Sequence, residues 1–132
     1  MQQDNYISIW IGNLDSSCDL YNYVLNRYSL DGDFEGSSFT DEFQIDFIDE
    51  DFVEKSFFDF TNNLELALNG FSYDKRILEE IKSKDIKSKD IKLLSPINCI
   101  IIIYNFAYKL NHKSAGKIQF LCTLPYSNHN LS

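Results

Sequence analysis

The side chains that could do chemistry in this 132-residue chain are 20 carboxylates, three cysteines and two histidines. Twelve of the acids crowd between Asp31 and Glu65, among them Asp31, Asp33, Glu35, Asp41, Glu42, Asp46, Asp49, Glu50, Asp51 and Glu54. Paired carboxylates can act as acid and base in glycoside hydrolysis, but that chemistry depends on a spatial separation, and abundance singles out no pair. Calcium is the other chemistry such a run invites. Asp31-Gly32-Asp33 is only a fragment of an EF-hand loop, and Asp49-Glu50-Asp51 lacks its spaced ligands and central glycine, so no metal site is expected. His112 falls in an expected turn and His129 in a tail of small polar residues, so neither is placed to be held as a general base. No nucleophile elbow, phosphate-binding glycine loop, H-E-x-x-H or dinucleotide fingerprint occurs. The reading is a binding protein with no catalytic residue, no cofactor and no metal.

Cys18, Cys99 and Cys122 are an odd set without C-x-x-C spacing, which fits neither a disulfide framework nor a zinc ribbon. They are expected to be reduced core residues. The charge is uneven: residues 1 to 70 hold 15 acids against the two bases Arg27 and Lys55, a net of -13, whereas residues 71 to 132 carry a net of +5. Such a field repels nucleic acid and steers a basic protein partner. The surface expected to meet that partner comprises Asp31, Asp33, Glu35, Asp49, Glu50 and Asp51, with Trp10 either a core residue or an interface anchor. The competing reading is a regulatory or adaptor domain whose acids serve solubility alone.

These residues need a scaffold, and one domain over residues 1–132, with its core at about 6–126, has ample apolar material: 44% of the chain is hydrophobic and 15% aromatic. Ile7, Ile9 and Ile11 alternate with Tyr6, Ser8 and Trp10 in a strand with two occupied faces. Ser16 starts a helix running through Leu20, Tyr23, Val24 and Tyr28, and the glycines at 32 and 36 mark a loop from Ser29 to Ser38. From Phe39 to Phe60 the phenylalanine spacing drifts between the two periods, which predicts short helical turns and one or two short strands. Thr61 or Asn62 caps a short helix over Leu64 to Leu68 that Gly70 ends, and Ser72 caps a second helix. Ile-Lys-Ser-Lys-Asp then repeats at 81–85 and 86–90, a local duplication too short for a solenoid. Ile97 to Phe106 reads as a central strand buried on both faces, Tyr108 to Gly116 as a hairpin connection, and Lys117 to Leu124 as a strand with Ile118, Phe120, Cys122 and Leu124 on one side. The class is α+β: a small antiparallel or mixed sheet backed by helices on one face.

No apolar run approaches the ~20 residues that span a bilayer, and Met1 to Asn5 has no basic, apolar leader, so a cytoplasmic protein without membrane contact is expected.

Ser8-Ile9-Trp10-Ile11-Gly12-Asn13, Tyr23, Phe39 with Asp41-Glu42-Phe43, Ile45-Asp46, Asp49-Glu50-Asp51-Phe52, Gly70-Phe71-Ser72-Tyr73 and Tyr104-Asn105-Phe106 together resemble the immunity protein 22 family from about residue 6 to 126. The resemblance implies a protein encoded beside a bacterial polymorphic toxin that binds and neutralises it. It supplies no catalytic residue to carry over and no toxin contact, and the repeat at 81–91 departs from the family's spacing.

Overall fold

Strict alternation of isoleucine with other residues in β1 (Gln2–Gly12) builds the middle of the molecule, because successive strand side chains point to opposite faces. In the computed structural model, which describes residues 1–83, 92–110 and 114–126, Ile7, Ile9 and Ile11 enter one apolar cluster and Trp10 the other. The other elements are α1 (Ser17–Val24), β2 (Arg27–Tyr28), β3 (Phe34–Gly36), α2 (Ser38–Phe43), a 3-10 turn (Glu50–Phe52), β4 (Val53–Asn63), α3 (Leu64–Leu68), α4 (Asp74–Ser83), β5 (Lys92–Phe106), β6 (Ser114–Ala115) and β7 (Ile118–Pro125). Five strands form one antiparallel sheet in the order β4-β5-β1-β7-β6, and β2 and β3 form a separate hairpin. The fold is a single α+β domain.

The expectation of helices on one face is corrected. One cluster joins Ile7, Ile9, Ile100 and Ile102 to Leu64 and Leu68 of α3 and Ile77 and Ile81 of α4. The other joins Trp10, Cys99, Ile101 and Ile103 to Leu20 of α1 and Phe39 and Phe43 of α2. Both faces of β5 carry apolar residues because both are covered, as expected for that strand, but the sheet's middle position belongs to β1.

Three local readings change with the topology. β5 and β7 lie on either side of β1, so they are not neighbours joined by a hairpin; the hairpin at this point joins β6 to β7. Residues 111–113, with His112, lie outside the described residues, as do 84–91 of the repeat and the tail with His129. In β7, Ile9 pairs with Cys122 but Trp10 with Phe120, a bulge that reverses the side-chain alternation. Ile118 therefore joins the Trp10 cluster while Leu124 joins the Ile7 cluster. Finally, β4 is an 11-residue strand where short pieces were expected, and the loop at 29–38 holds the turn and second strand of the β2–β3 hairpin. The drifting phenylalanine spacing has a physical cause: the stretch from Phe57 to Thr61 lies opposite the shorter stretch from Cys99 to Ile97 of β5, so two residues of β4 have no counterpart.

Capping follows the chemistry expected, with small shifts in position. Ser16 accepts from the Asp19 N–H at 3.1 Å. Asn63, not Thr61 or Asn62, caps α3 by accepting from the Glu65 and Leu66 N–H groups at 2.9 and 3.3 Å, and Gly70 adopts φ +96° after it. Ser72 does not cap α4. Its hydroxyl donates to Glu54 at 2.7 Å.

Candidate interaction surface

The acids predicted to meet a partner stand on two short elements. Asp31, Asp33 and Glu35 are exposed on the β2–β3 hairpin. Its turn is closed by the Ser29 N–H to the Asp33 carbonyl at 2.8 Å and the Gly32 N–H to the Ser29 carbonyl at 2.9 Å, with Gly32 at φ +86°. A left-handed residue at this point costs glycine little, which is why a glycine interrupts the acids here. Arg27 anchors the hairpin base, donating Nε to the Gly36 carbonyl at 3.2 Å and Nη2 to Asp41 at 2.8 Å. Among the described residues, ion pairing in the segment 31–65 is confined to that Arg27–Asp41 contact.

Glu50 and Asp51 are exposed on the 3-10 turn that leads into β4. Asp49 is half-buried, and its Oδ1 accepts from the Asp51 N–H at 3.0 Å, so part of its role is to cap that turn.

What links the two elements was not foreseen. The Phe34 ring meets Phe47 edge-on at 4.9 Å and Tyr28 at 6.0 Å. Phe47 is 53% exposed, Tyr28 48%, and Leu30 at the hairpin tip fully so. Aromatic groups left in water among acids that have no ion pair with the described residues have the composition of an interface centre with a charged surround. The sequence signal was present in Leu30 beside Asp31-Gly32, a large apolar residue in a polar turn, and in Phe47 between Asp46 and Asp49.

A pocket of about 140 Å³ opens beside this surface, walled by Tyr21 of α1, Leu25 at its C-cap, Ile48, Glu50, and Val53 and Lys55 of β4. The Lys55 ammonium lies over the Tyr21 ring at 5.6 Å. Deeper under α1, burial beside the Glu42 carboxylate pushes the Tyr23 hydroxyl well above its ordinary range.

Trp10 is not part of this surface, and its reading as an interface anchor is corrected. It is 0% exposed and ringed by Phe39, Tyr108 and Phe120 at 4.9 to 5.3 Å, so it is a core residue. Its indole N–H finds no acceptor among the described residues. Gly12, two residues on, is equally structural: a Cβ there would stand 2.3 Å from the Lys117 carbonyl oxygen. The other motif residues behave alike. Tyr104 donates to Glu54, and Asn105, at φ +55°, accepts from the Asn5 N–H at 3.3 Å.

The cysteines are free. Cys99 is buried, as expected, and desolvation pushes its thiol up to about 11. Cys18 is exposed on α1, which corrects its assignment to the core. No helix among the described residues is long and apolar enough to cross a membrane.

No curated protein and no solved structure matches the chain. A sequence model named immunity protein 22 matches residues 7–127, and the chain therefore belongs to the immunity protein 22 family, whose role is immunity and implies a protein partner.

Proposed function

We propose that the protein binds and neutralises a cognate bacterial toxin of a polymorphic toxin system, acting in the cytoplasm as a stoichiometric binder with no catalysis of its own. The contact surface is the acidic one formed by Asp31, Asp33, Glu35, Asp49, Glu50 and Asp51. The observation that carries this reading is the aromatic chain Tyr28–Phe34–Phe47, exposed at both ends, beside a segment of 12 acids in which, among the described residues, ion pairing is confined to Asp41. A surface that served solubility alone would gain nothing from exposed rings, which raise the hazard of association. Family membership supplies the class of partner, and the charge supplies its sign, since an acidic field accelerates encounter with a basic surface.

The test is binding of the toxin domain encoded beside the gene, measured by calorimetry together with protection of a toxin-expressing host. One-to-one binding with protection supports the reading. No binding, or protection without complex formation, overturns it.

A further inference from the structure

β4 is the outermost strand of the five-stranded sheet, and among the described residues it pairs with β5 alone. From Val53 to Phe57 its register against β5 runs without interruption, Val53 opposite Ile103 through Phe57 opposite Cys99. The irregularity after Phe57 then breaks the ladder. A regularly paired edge from Val53 to Phe57 is thus presented just after the acidic 3-10 turn. Such an edge carries a row of backbone donors and acceptors that a further strand can complete.

Two hollows flank this stretch, one on each face of the sheet. Val53 and Phe57 pack on the Trp10 cluster, and the pocket of about 140 Å³ lies on that face, between α1 and the strand. Glu54 and Phe58 belong to the opposite face, and a larger hollow of about 410 Å³ reaches from the strand edge onto that face, lined by Val53 to Ser56 of β4 and by Asn69, Gly70 and Phe71. An added strand sends alternate side chains to opposite faces, so one edge with a pocket on each face is the geometry that receives an extended segment.

The walls state the chemistry of the occupant. On the α1 face Tyr21, Leu25, Ile48 and Val53 suit a small apolar side chain, with Glu50 in the wall. The other hollow offers the carboxylate of Glu54, with Lys55 also in its lining. That group already accepts from Ser72 and Tyr104, but it has no cationic partner among the described residues. Along the chain from Asp49 to Asp59, the acids Asp49, Glu50, Asp51, Glu54 and Asp59 stand against the one base Lys55. A second copy of the chain is a poor fit: antiparallel self-pairing centred on the regular stretch sets Lys55 opposite Lys55.

Resting on the toxin-binding reading above, we propose that the outer edge of β4 at Val53–Ser56 is where the partner docks. The partner adds an extended segment as a sixth strand, placing an apolar residue in the α1-side pocket and a lysine or arginine in the Glu54 hollow.

The experiment titrates the toxin domain encoded beside the gene into the full chain and three variants. Leu25→Arg fills the α1-side pocket from a residue that is 42% exposed, so folding is retained. Lys55→Pro and Ser56→Pro form a pair, since N–H groups of successive strand residues point to opposite sides: one variant disrupts the β5 ladder, and the other keeps it while removing an outward donor. The expected result is that Leu25→Arg, and whichever proline variant melts like the parent, each weaken binding at least tenfold, with amides of 53–56 newly protected from hydrogen exchange in the parent complex. Undiminished affinity in these variants, with a parent chain that binds, overturns the docking site and leaves toxin binding standing. A parent chain that does not bind overturns the toxin-binding reading and this site with it. A homodimer in sedimentation that Leu25→Arg dissociates assigns the edge to a second copy and also overturns the proposal.

Discussion

The Tyr104 hydroxyl donates to the Glu54 carboxylate, which joins β5 to the edge strand β4 on the face covered by α3 and α4. The same carboxylate accepts from the Ser72 N–H at 3.2 Å and the Ser72 hydroxyl at 2.7 Å, so one side chain on an edge strand also holds the α3–α4 connection. Hydrogen bonds to charged acceptors contribute about 1.5–3 kcal/mol each. Tyr104→Phe is expected to lower stability by ~1.5 kcal/mol in urea unfolding, toward the low end because Glu54 is only half-buried.

That tyrosine also sets an alkaline limit. Burial first, and the neighbouring Glu54 second, raise Tyr104 above its ordinary value of 10.0. A group raised in the folded state contributes stability that is complete below its unfolded value and is lost as pH rises. Cys99, raised from 9.0 to about 11, acts in the same direction and starts earlier. Melting temperature should therefore be insensitive to these groups below pH 9 and fall through the window from 9 to 11, with Tyr104 adding to the loss above 10. Tyr104→Phe should flatten the part above pH 10.

Thiol labelling distinguishes the cysteines by burial. Cys18, exposed, is expected to react with a thiol reagent in the native protein, whereas Cys99 reacts only after unfolding. All three should titrate in denaturant without reductant. A total below three would reveal a disulfide.

Trp10→Ala is expected to cost about 4 kcal/mol, because a fully enclosed indole leaves a cavity that its ring neighbours cannot fill. The loss belongs to unfolding, so any fraction of the variant that remains folded should bind the partner with unchanged affinity. Fluorescence of the parent should be blue-shifted and should move to the red on denaturation.

Gly12→Ala is expected to destabilise by about 1–3 kcal/mol. The new methyl group meets backbone, the Lys117 carbonyl oxygen at 2.3 Å, as well as the Ile118 Cδ1 at 2.7 Å. A side chain could turn aside, but a paired strand cannot without loss of register. The denaturation midpoint checks this.

Neutralising Asp31, Asp33, Glu35, Asp49, Glu50 and Asp51 together with Asp→Asn and Glu→Gln is expected to slow association with a basic toxin on the order of tenfold at low salt and to flatten its salt dependence. The fold should survive in circular dichroism, since exposed unpaired carboxylates contribute little stability and asparagine at 49 can still cap the turn. Unchanged rate and salt slope would assign these acids to solubility.

Much of this protein is legible in its sequence because local physics dominates there. Alternation in 6–12 set the two faces of β1, β-branched density marked β5, and Ser16 and Gly70 worked as helix punctuation. The charge asymmetry and the family resemblance likewise needed no coordinates. Tertiary structure decided the rest, since strand order and register bulges depend on partners distant in the chain. Phe57 to Thr61 looked aperiodic until β5 showed the ladder skipping residues there, and Ile118 and Leu124 shared a face until Phe120 and Cys122 paired across a bulge. The same non-local pairing leaves β4 on the outside of the sheet and Trp10 inside it. Composition along the chain can nominate an acidic partner surface, but only packing decides which aromatic residues join the core and which stay in water beside those acids.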